Sequence, residues 1–377
     1  MIHAGGAARV LAAGGVRSLA FEASKPLQLS SGESLAPLTV AFETYGALNS
    51  ARSNAVLVCH ALTGDQFVAS TNPVTGRPAW WPRIVGPGRP LDTNRYFVIA
   101  PNVLGGCMGT TGPSSIAPDG RTYGLRFPQF TIADTVRAQA MLVEALGIDT
   151  LFLVAGIGMG GMQALNWASA YPKRVFACAT VASAARQSAQ NIAFAELGRQ
   201  AIMADPEWRG GGYQSTKPAK GLAVARLAAG IANRSDASLR QCYAEARAFA
   251  FDAEARGTLA APGDRFDANS YLYLTRAMDQ FDLAADFGGN LANAFTGGAT
   301  RHGVFAFTSD WRYPPSANQA IVRALIASGA EAAYVEIDTE QGHDAYLGDL
   351  AAFETALTGF VDSAASERGL ALSGGGQ

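Results

Sequence analysis

The chain has 377 residues, of which 49% are hydrophobic and 16% charged, which is enough apolar content for a large buried core. Its 29 basic and 31 acidic residues nearly balance, so charge gives no reason to expect a nucleic acid or an anionic membrane as partner. No apolar stretch reaches the length of a membrane span, and the Ala/Gly-rich N-terminus lacks the compact apolar core of a signal peptide. We therefore expect a soluble, cytoplasmic protein with a flexible extension over residues 1–24.

Beyond that extension, short apolar runs alternate with helical stretches. This pattern is typical of an α/β protein with a mostly parallel, twisted sheet and helices on both faces. The best-marked helix is predicted over residues 131–146, with Asp134 in its first turn and Gly147 at its end. Strands are predicted at residues 39–44, 55–59, 96–100, 151–155, 175–181, 304–308 and 333–337.

Strand signals disappear after residue 184, where blocks rich in alanine, arginine and glutamine favour helices. Strand character returns just after residue 301, so the intervening segment is predicted to be a helical lid inserted between two core strands. The predicted division is a core of residues 25–184 and 302–366, a lid of residues 185–301, and a disordered tail of residues 367–377.

The predicted strand at 151–155 leads into the sequence GIGMG at 156–160 and then into a helical segment. This arrangement has the form of a nucleophile elbow, G-x-S-x-G, in which a tight turn presents a serine hydroxyl above the sheet of an α/β-hydrolase. Gly158 occupies the position of that serine, so the nucleophile position is vacant. The chain has no second G-x-S-x-G.

In α/β-hydrolases an acid and then a histidine follow the elbow in chain order, each beyond a later strand. Asp310 follows the predicted strand at 304–308, and His343 follows the strand at 333–337. His343 is also the one histidine of four that lies beyond the last predicted strand. We predict a dyad in which Asp310 fixes the tautomer of His343, while the other ring nitrogen handles substrate protons.

Two backbone amides are predicted to form an oxyanion hole, and neither depends on a serine side chain. One belongs to Met159, directly after the vacant position, and the other to Leu62, in the loop after the strand at 55–59. His60 lies in the same loop without a second ligand at usable spacing, so no metal site is predicted. The four cysteines are far apart and form no C-x-x-C pair, which indicates reduced thiols.

From about residue 25 to residue 362 the chain resembles the homoserine O-acetyltransferase family of the α/β-hydrolase superfamily. The resemblance rests on ordered blocks: FETYG at 42–46, the loop at 60–65, WW at 80–81, GPG at 86–88, NVLGGC at 102–107, GPSS at 112–115, FP at 127–128, RQAI at 199–202, DP at 205–206, NSY at 269–271, AMD at 277–279, SD at 309–310 and GHD at 342–344. Arg199, within one of these blocks, is interpreted as a fold-supporting residue.

The resemblance implies ping-pong acyl transfer, in which a serine takes an acyl group from coenzyme A and passes it to the hydroxyl of homoserine or a related acceptor. It implies no bound cofactor, acetyl-CoA or another acyl-CoA as co-substrate, and a homodimer joined through the lid helices. It further implies that Arg226 holds the carboxylate of the acceptor and that Asp344 faces its amine. Asn233 stands where the family commonly has a tyrosine that meets the acceptor.

Three functional hypotheses remain open. In the first, the dyad of His343 and Asp310 acts as a general base on a small amino-acid-like or acyl substrate, without a covalent acyl-enzyme. In the second, the protein binds a ligand or a partner and catalyses nothing. In the third, it is an ordinary acyl-CoA-dependent O-acyltransferase whose serine was replaced by Gly158. Retention of both dyad members favours the first.

Overall fold

The computed structural model describes residues 8–13, 15–213, 216–245 and 266–370 of the chain. Within these residues one sheet contains nine strands: β1 (Ala8–Ala13), β2 (Val16–Phe21), β3 (Leu38–Tyr45), β4 (Ala55–Cys59), β5 (Phe97–Pro101), β6 (Leu151–Ile157), β7 (Val175–Val181), β8 (Arg301–Phe307) and β9 (Ala332–Ile337). Two short ladders of two-residue strands pair Leu27–Gln28 with Ser34–Leu35 and Val85–Gly86 with Leu91–Asp92.

The spatial order of the sheet is β1-β2-β3-β5-β4-β6-β7-β8-β9. The pairings from β5 through β9 in this order are parallel, whereas β1, β2 and β3 form an antiparallel edge. Each of the seven predicted strands overlaps one strand from β3 to β9, so the prediction of a mostly parallel sheet is confirmed. Because parallel strands end at the same edge of a sheet, the loops after β4, β6, β8 and β9 lie at one edge.

The helices of the described residues are α1 (Ile132–Ala145), α2 (Met159–Ala170), α3 (Ala189–Ala204), α4 (Ala219–Ala232), α5 (Asp236–Glu245), α6 (Ala268–Asp279), α7 (Pro315–Ala327) and α8 (Ala351–Arg368). Short 3₁₀ segments are Gly124–Arg126, Pro206–Gly211, Ala285–Phe287, Leu291–Ala294 and Gly342–Leu347. The predicted helix at 131–146 is confirmed as α1. It begins with a capping box in which Thr131 and Asp134 each accept a hydrogen bond from the backbone of the other.

Helices cover both faces of the sheet. Successive side chains of a strand point to opposite faces, so a strand with apolar residues throughout needs a packing partner on each face. In β4, Leu57 packs into one hydrophobic cluster and Val58 into another. The first cluster contains buried residues of α1, α2 and α7, and the second contains Phe353, Leu357 and Val361 of α8. The sheet is therefore enclosed between two apolar layers, as the α/β prediction requires.

The expectation of a flexible extension over residues 1–24 is wrong for its described part beyond residue 7. Residues 8–13 and 16–21 pair as β1 and β2 of a hairpin, which joins the sheet through β3. Gly15, with φ of 77°, lies in the turn between the two strands and adopts the left-handed conformation that glycine tolerates. Leu19 and Phe21 of β2 are buried. Their packing against the core orders a segment that is otherwise rich in small residues.

Helices α3 to α6 lie between β7 and β8, in the segment predicted to be the lid. Gly221 of α4 packs so closely on the backbone of α3 that a side chain there would collide with the Ala201 carbonyl. Arg199 of α3 forms an ion pair of 2.7 Å with Asp279 at the end of α6. This contact confirms the structural interpretation of Arg199. Residues 246–265 of the predicted lid lie outside the described residues.

The predicted boundary of the C-terminal tail at residue 367 is wrong by two residues, because α8 continues to Arg368. The helix ends at Gly369, whose φ of 71° gives the left-handed conformation typical of a helix C-terminus. The remainder of the predicted tail, residues 371–377, lies outside the described residues. None of the described helices combines the length and the apolar character required to cross a membrane.

Candidate active site

Gly158 is the single residue between the end of β6 and the start of α2. Its backbone has φ of 55° and ψ of −114°, a combination that residues with side chains rarely adopt. The Gly158 amide donates to Val181 of β7 at 3.1 Å, and its carbonyl accepts from the Ser183 hydroxyl at 2.7 Å. The turn is therefore held in place by the neighbouring strand and the loop after it.

The flanking glycines of this turn are required by close backbone approaches. A Cβ atom at Gly156 would collide with the carbonyl of Gly160, and a Cβ atom at Gly160 would collide with the carbonyl of Cys59. Any larger residue at either position would push α2 away from β6 or β4. The sequence GIGMG therefore forms the geometry of a nucleophile elbow, although its central residue has no side chain.

Asp310 and His343 lie together at the same edge of the sheet. Asp310 is in the loop after β8, and His343 is in the 3₁₀ segment after β9. The His343 Nδ1 and the Asp310 Oδ2 are 2.8 Å apart, and both side chains are buried, with 4% and 1% exposure. The other Asp310 oxygen accepts from the backbone amides of Arg312 and Tyr313, both at 2.9 Å. The carboxylate is thus fixed by three hydrogen bonds.

This arrangement determines which ring nitrogen of the neutral histidine is available. When Nδ1 carries the proton and donates it to Asp310, Nε2 presents its lone pair. Nε2 points at the elbow, since a Cβ atom built on Gly158 would lie only 3.2 Å from it. The structure therefore brings together Gly158, His343 and Asp310, the residues predicted to be the vacant nucleophile position, the base and its acid partner.

A cavity of about 30 Å³ lies between Nε2 and the lid. Its walls come from the core and the lid: Ala61, Leu62, Thr63, Met159, Ala229, Asn233, Met278, Arg312, Tyr313, His343 and Tyr346. Both residues predicted to supply the oxyanion hole line this cavity. Met159 is also the first residue of α2, so its amide has no acceptor within the helix.

Two tyrosines flank the ring of His343. The ring centroid of Tyr313 lies 5.2 Å and that of Tyr346 5.6 Å from the centroid of the imidazole. Burial raises the pKa of both tyrosines above the ordinary value, so both hydroxyls stay protonated at neutral pH. The imidazole is therefore enclosed by aromatic rings and has little freedom to rotate away from Gly158.

Asn233, at the C-terminal end of α4, connects the lid to the dyad loops. Its Nδ2 donates to the Asp344 carboxylate at 3.0 Å, and its Oδ1 accepts from Arg312 Nη1 at 2.6 Å. The Asp344 amide also donates to the Asn233 carbonyl at 3.1 Å. Burial raises the pKa of Asp344, and the nearby His343 opposes that rise. The residue predicted to face the acceptor's amine is thus already hydrogen-bonded by the lid.

Arg226 is half-buried on α4, one and two turns before Ala229 and Asn233. Spacings of three and seven residues place it on the helix face that contributes to the cavity wall. It is not among the residues that line the cavity. Its role as a carboxylate-binding residue therefore stays a prediction.

Sequence reasoning missed three residues that the structure brings to the site: Arg312, Tyr313 and Tyr346. Arg312 and Tyr313 follow Asp310 by two and three positions, and Tyr346 follows His343 by three. Their positions in the two dyad loops were a signal that they could reach the site. The direction of their side chains depends on the fold of those loops, which no local pattern predicts.

His60 has a structural role. Its Nε2 accepts from the backbone amide of Val103 at 3.1 Å, and its Nδ1 lies 2.7 Å from the Ala61 carbonyl. Both ring nitrogens are therefore engaged in fixing the loop that carries Leu62. Within the described parts of the chain, no group of three or more His, Cys, Asp or Glu side chains is placed to hold a metal ion.

Comparison with known proteins places this geometry in a family. The profile of proteins with the α/β hydrolase fold matches residues 54–347. The homoserine O-acetyltransferase of Mesorhizobium japonicum is 55% identical over 367 residues, which cover 93% of this chain and 94% of the relative. That of Caulobacter vibrioides is 56% identical over 365 residues, covering 93% and 96%. The chain belongs to the homoserine O-acetyltransferase family.

Solved structures agree with this membership of the homoserine O-acetyltransferase family. The crystal structure of homoserine O-acetyltransferase from Bacillus anthracis superimposes with a TM-score of 0.83 at 30% identity, covering 92% of this chain and 98% of that one. Esterase E22 superimposes with a TM-score of 0.82 at 28% identity, covering 92% and 100%. The same fold therefore occurs in a protein named as an acyltransferase and in one named as an esterase.

Proposed function

We propose that this protein is an acyl-transfer or ester-cleaving member of the homoserine O-acetyltransferase family that works without a covalent acyl-enzyme. The observation that carries the proposal is the position of His343 Nε2. It faces Gly158 across a gap that a serine side chain would fill, while Asp310 holds the opposite nitrogen. Glycine offers no atom to accept an acyl group. The hydroxyl that attacks must therefore belong to the acceptor or to water.

The proposed step is direct attack on the carbonyl carbon of a small acyl donor. His343 Nε2 takes the proton from the attacking hydroxyl as the new carbon–oxygen bond forms. The amides of Met159 and Leu62 stabilise the negative charge on the carbonyl oxygen. The bond to the leaving group then breaks, and the imidazolium returns the proton to it. Asp310 stays ionised throughout and stabilises the imidazolium.

The magnitude of the effect separates this proposal from ordinary triad catalysis. Removal of the serine from a triad enzyme costs about a millionfold in turnover, while roughly a thousandfold advantage over water can remain. We therefore expect slow catalysis of an activated donor. As acceptors we propose water or a small amino-acid-like alcohol, with Arg226 binding its carboxylate, and as donors an acyl-CoA or a simple ester.

The test uses p-nitrophenyl acetate alone, and acetyl-CoA with L-homoserine. We expect slow release of p-nitrophenol without a burst, and no acetyl adduct in the intact mass. His343→Ala should lower the rate by about a hundredfold or more, the usual contribution of a general base. Ser114→Ala serves as the matched control, because Ser114 is an exposed serine outside the cavity. A covalent adduct, or a rate unaffected by His343→Ala, would contradict the proposal.

A second candidate function, ligand binding without turnover, is favoured by one observation. Asn233 joins Arg312 to Asp344 at the wall of the cavity, and the cavity next to His343 has a volume of only about 30 Å³. If this closed state persists with ligand, no substrate reaches the base. Absence of turnover with every donor tested, together with measurable binding of one of them, would favour this candidate over the first.

We further propose that the protein is a homodimer joined through the lid. Leu197 of α3 and Val224 of α4 have exposed fractions of 53% and 47%, although both are large and apolar. Exposed apolar side chains on neighbouring helices are typical of an interface. Light scattering should give the dimer mass for the parent protein and the monomer mass for Leu197→Asp combined with Val224→Asp. A monomeric parent protein would refute this assembly.

A further inference from the structure

The cavity at His343 is small, and part of its wall belongs to the lid. Its volume of about 30 Å³ compares with about 770 Å³ for the larger cavity lined in part by Tyr313. The lid residues that line the small cavity are Ala229 and Asn233, at the C-terminal end of α4, and Met278 of α6. A reacting group in this cavity must therefore be short, and the lid residues determine how short.

The other walls of the cavity are occupied by the groups of the proposed reaction. Leu62 and Met159 belong to the predicted oxyanion hole, and His343 supplies the base, with aromatic rings on either side of it. Thr63 also lines the cavity and is exposed, so solvent lies on its side. The carrier of the acyl group can extend toward solvent there. The wall left for the acyl chain is that of the lid.

Met278 is the large apolar side chain of this lid wall within the described residues. Ala229 ends at its Cβ atom, and Asn233 is polar and already hydrogen-bonded through both ends of its amide. Met278 is 2% exposed and belongs to the same hydrophobic cluster as Met159 and Tyr313. The terminal carbon of an acyl chain would therefore contact Met278 before any other large apolar group of the described lid.

The helix that carries Met278 is fixed by polar contacts on either side of that position. Asp279, the next residue, pairs with Arg199 of α3 at 2.7 Å. The Tyr273 hydroxyl donates to the Phe127 carbonyl of the core at 2.6 Å. When a buried side chain is truncated in a fixed frame, its surroundings relax only partially and a cavity remains. The methionine side chain, and not the position of α6, thus sets the depth of the cavity on this side.

We infer that Met278 limits the length of the acyl group that the site accepts. This inference rests on the function proposed above, in which the donor is an acyl-CoA or a simple ester. The acyl carbon lies at the oxyanion hole, and the methyl end of a short chain contacts the thioether of Met278. A longer chain has to displace that side chain or the lid. One methylene more or less in a hydrophobic pocket changes kcat/KM by about 10–200-fold.

The probes are p-nitrophenyl acetate and p-nitrophenyl butyrate, with each enzymatic rate divided by the rate of spontaneous hydrolysis. We expect the parent protein to favour the acetate in kcat/KM by at least about tenfold. Met278→Ala removes the side chain beyond Cβ, which should abolish or reverse this preference. Met278→Leu nearly conserves the volume and should keep the preference. Met203→Ala is the matched control, because Met203 is a half-buried methionine of α3 outside the cavity.

A second measurement does not depend on turnover without a covalent intermediate. In Gly158→Ser, the rate at which an acyl adduct accumulates in the intact mass reports the fit of each acyl group directly. We expect acetyl adducts to form at least about tenfold faster than butyryl adducts. Combining Gly158→Ser with Met278→Ala should make the two rates similar. Thermal unfolding shows whether each variant is folded.

The two measurements distinguish failure of this inference from failure of the proposed function. A parent rate that His343→Ala leaves unchanged contradicts the proposed function, and the adduct rates then decide the role of Met278. That role is overturned if folded proteins with Met278→Ala keep the preference for the acetyl group, in turnover or in adduct formation. It is also overturned if neither ester is preferred before the substitution, or if neither ester gives His343-dependent turnover or an adduct.

Discussion

Replacing Gly158 with serine tests the geometry of the candidate site most directly. The new side chain starts at a Cβ atom 3.2 Å from His343 Nε2 and 3.3 Å from its Cε1. The serine Oγ, one bond further out, can reach hydrogen-bond distance from Nε2. Gly158→Ser would then complete a serine, histidine and aspartate triad next to the amides of Met159 and Leu62, which are predicted to form the oxyanion hole.

Two opposite effects are expected from this single substitution. The backbone at 158 has φ of 55° and ψ of −114°, which costs a residue with a side chain about 1–3 kcal/mol of folding free energy. The melting temperature should therefore fall by a few degrees. At the same time, hydrolysis of p-nitrophenyl acetate should rise by at least about a hundredfold, since triad serines contribute about a millionfold in enzymes built around them.

Gly158→Ala separates the two effects, because alanine introduces the same Cβ atom without a hydroxyl. It should lose stability to a similar extent and gain no activity. Stopped-flow measurements of p-nitrophenol release should show a burst for the serine variant alone, and its intact mass should show an acetyl adduct at residue 158. Transfer of that acetyl group to L-homoserine is a separate readout, which reports on the acceptor pocket around Asn233.

A folded serine variant with no burst and no adduct would refute the inferred alignment of Nε2 with residue 158. A serine or alanine variant as stable as the parent protein would refute the argument from backbone strain. An adduct that forms but is not transferred to homoserine would show that the nucleophile position is sound. In that case the acceptor pocket is the part that differs from the acetyltransferases.

Three further predictions concern stability and reactivity. Asn233→Ala removes the side chain that joins the half-buried Arg312 to the half-buried Asp344, so it should lower the unfolding free energy by about 1–3 kcal/mol in a urea titration. An unchanged urea midpoint would contradict this coupling. Burial lowers the pKa of His302 to about 4, so the unfolded chain takes up a proton below pH 6.5 that the folded protein excludes. The free energy of unfolding should therefore fall by about 2–3 kcal/mol between pH 7.5 and pH 4.5 because of this histidine. Urea titrations of His302→Phe should lack this part of the loss. Burial also raises the pKa of Cys178 to about 12 and raises that of Cys59 further. Neither thiol should therefore react with an aromatic disulfide reagent until urea unfolds the protein. Peptide mapping that finds either cysteine labelled in the native protein would contradict the burial of that thiol.

The dyad could be predicted from sequence because it depends on topology. In a parallel sheet every loop that follows a strand lies at the same edge, so Asp310 after one strand and His343 after the next had to approach the elbow. The order of acid and histidine along the chain added a second constraint. Neither argument needs knowledge of side-chain packing, and both residues were found at hydrogen-bond distance.

The features that were missed depend on contacts between distant segments. The hairpin of β1 and β2 has a small-residue composition, and only the burial of Leu19 and Phe21 against the core orders it. Arg312 lies in an irregular loop whose backbone donates to Asp310, and its side chain reaches Asn233 of the lid. Local patterns contain no information about such partners, because the partners are far away in the chain.

The two glycines that flank residue 158 make the shape of the turn a property of the backbone. Collisions with main-chain carbonyls, and not the needs of a reaction, require Gly156 and Gly160 to lack side chains. A protein without a nucleophile at residue 158 still requires both glycines, because a side chain at either position would separate α2 from the sheet. The two flanking glycines therefore indicate the fold of the turn. Only the residue between them indicates whether the site can use a nucleophile.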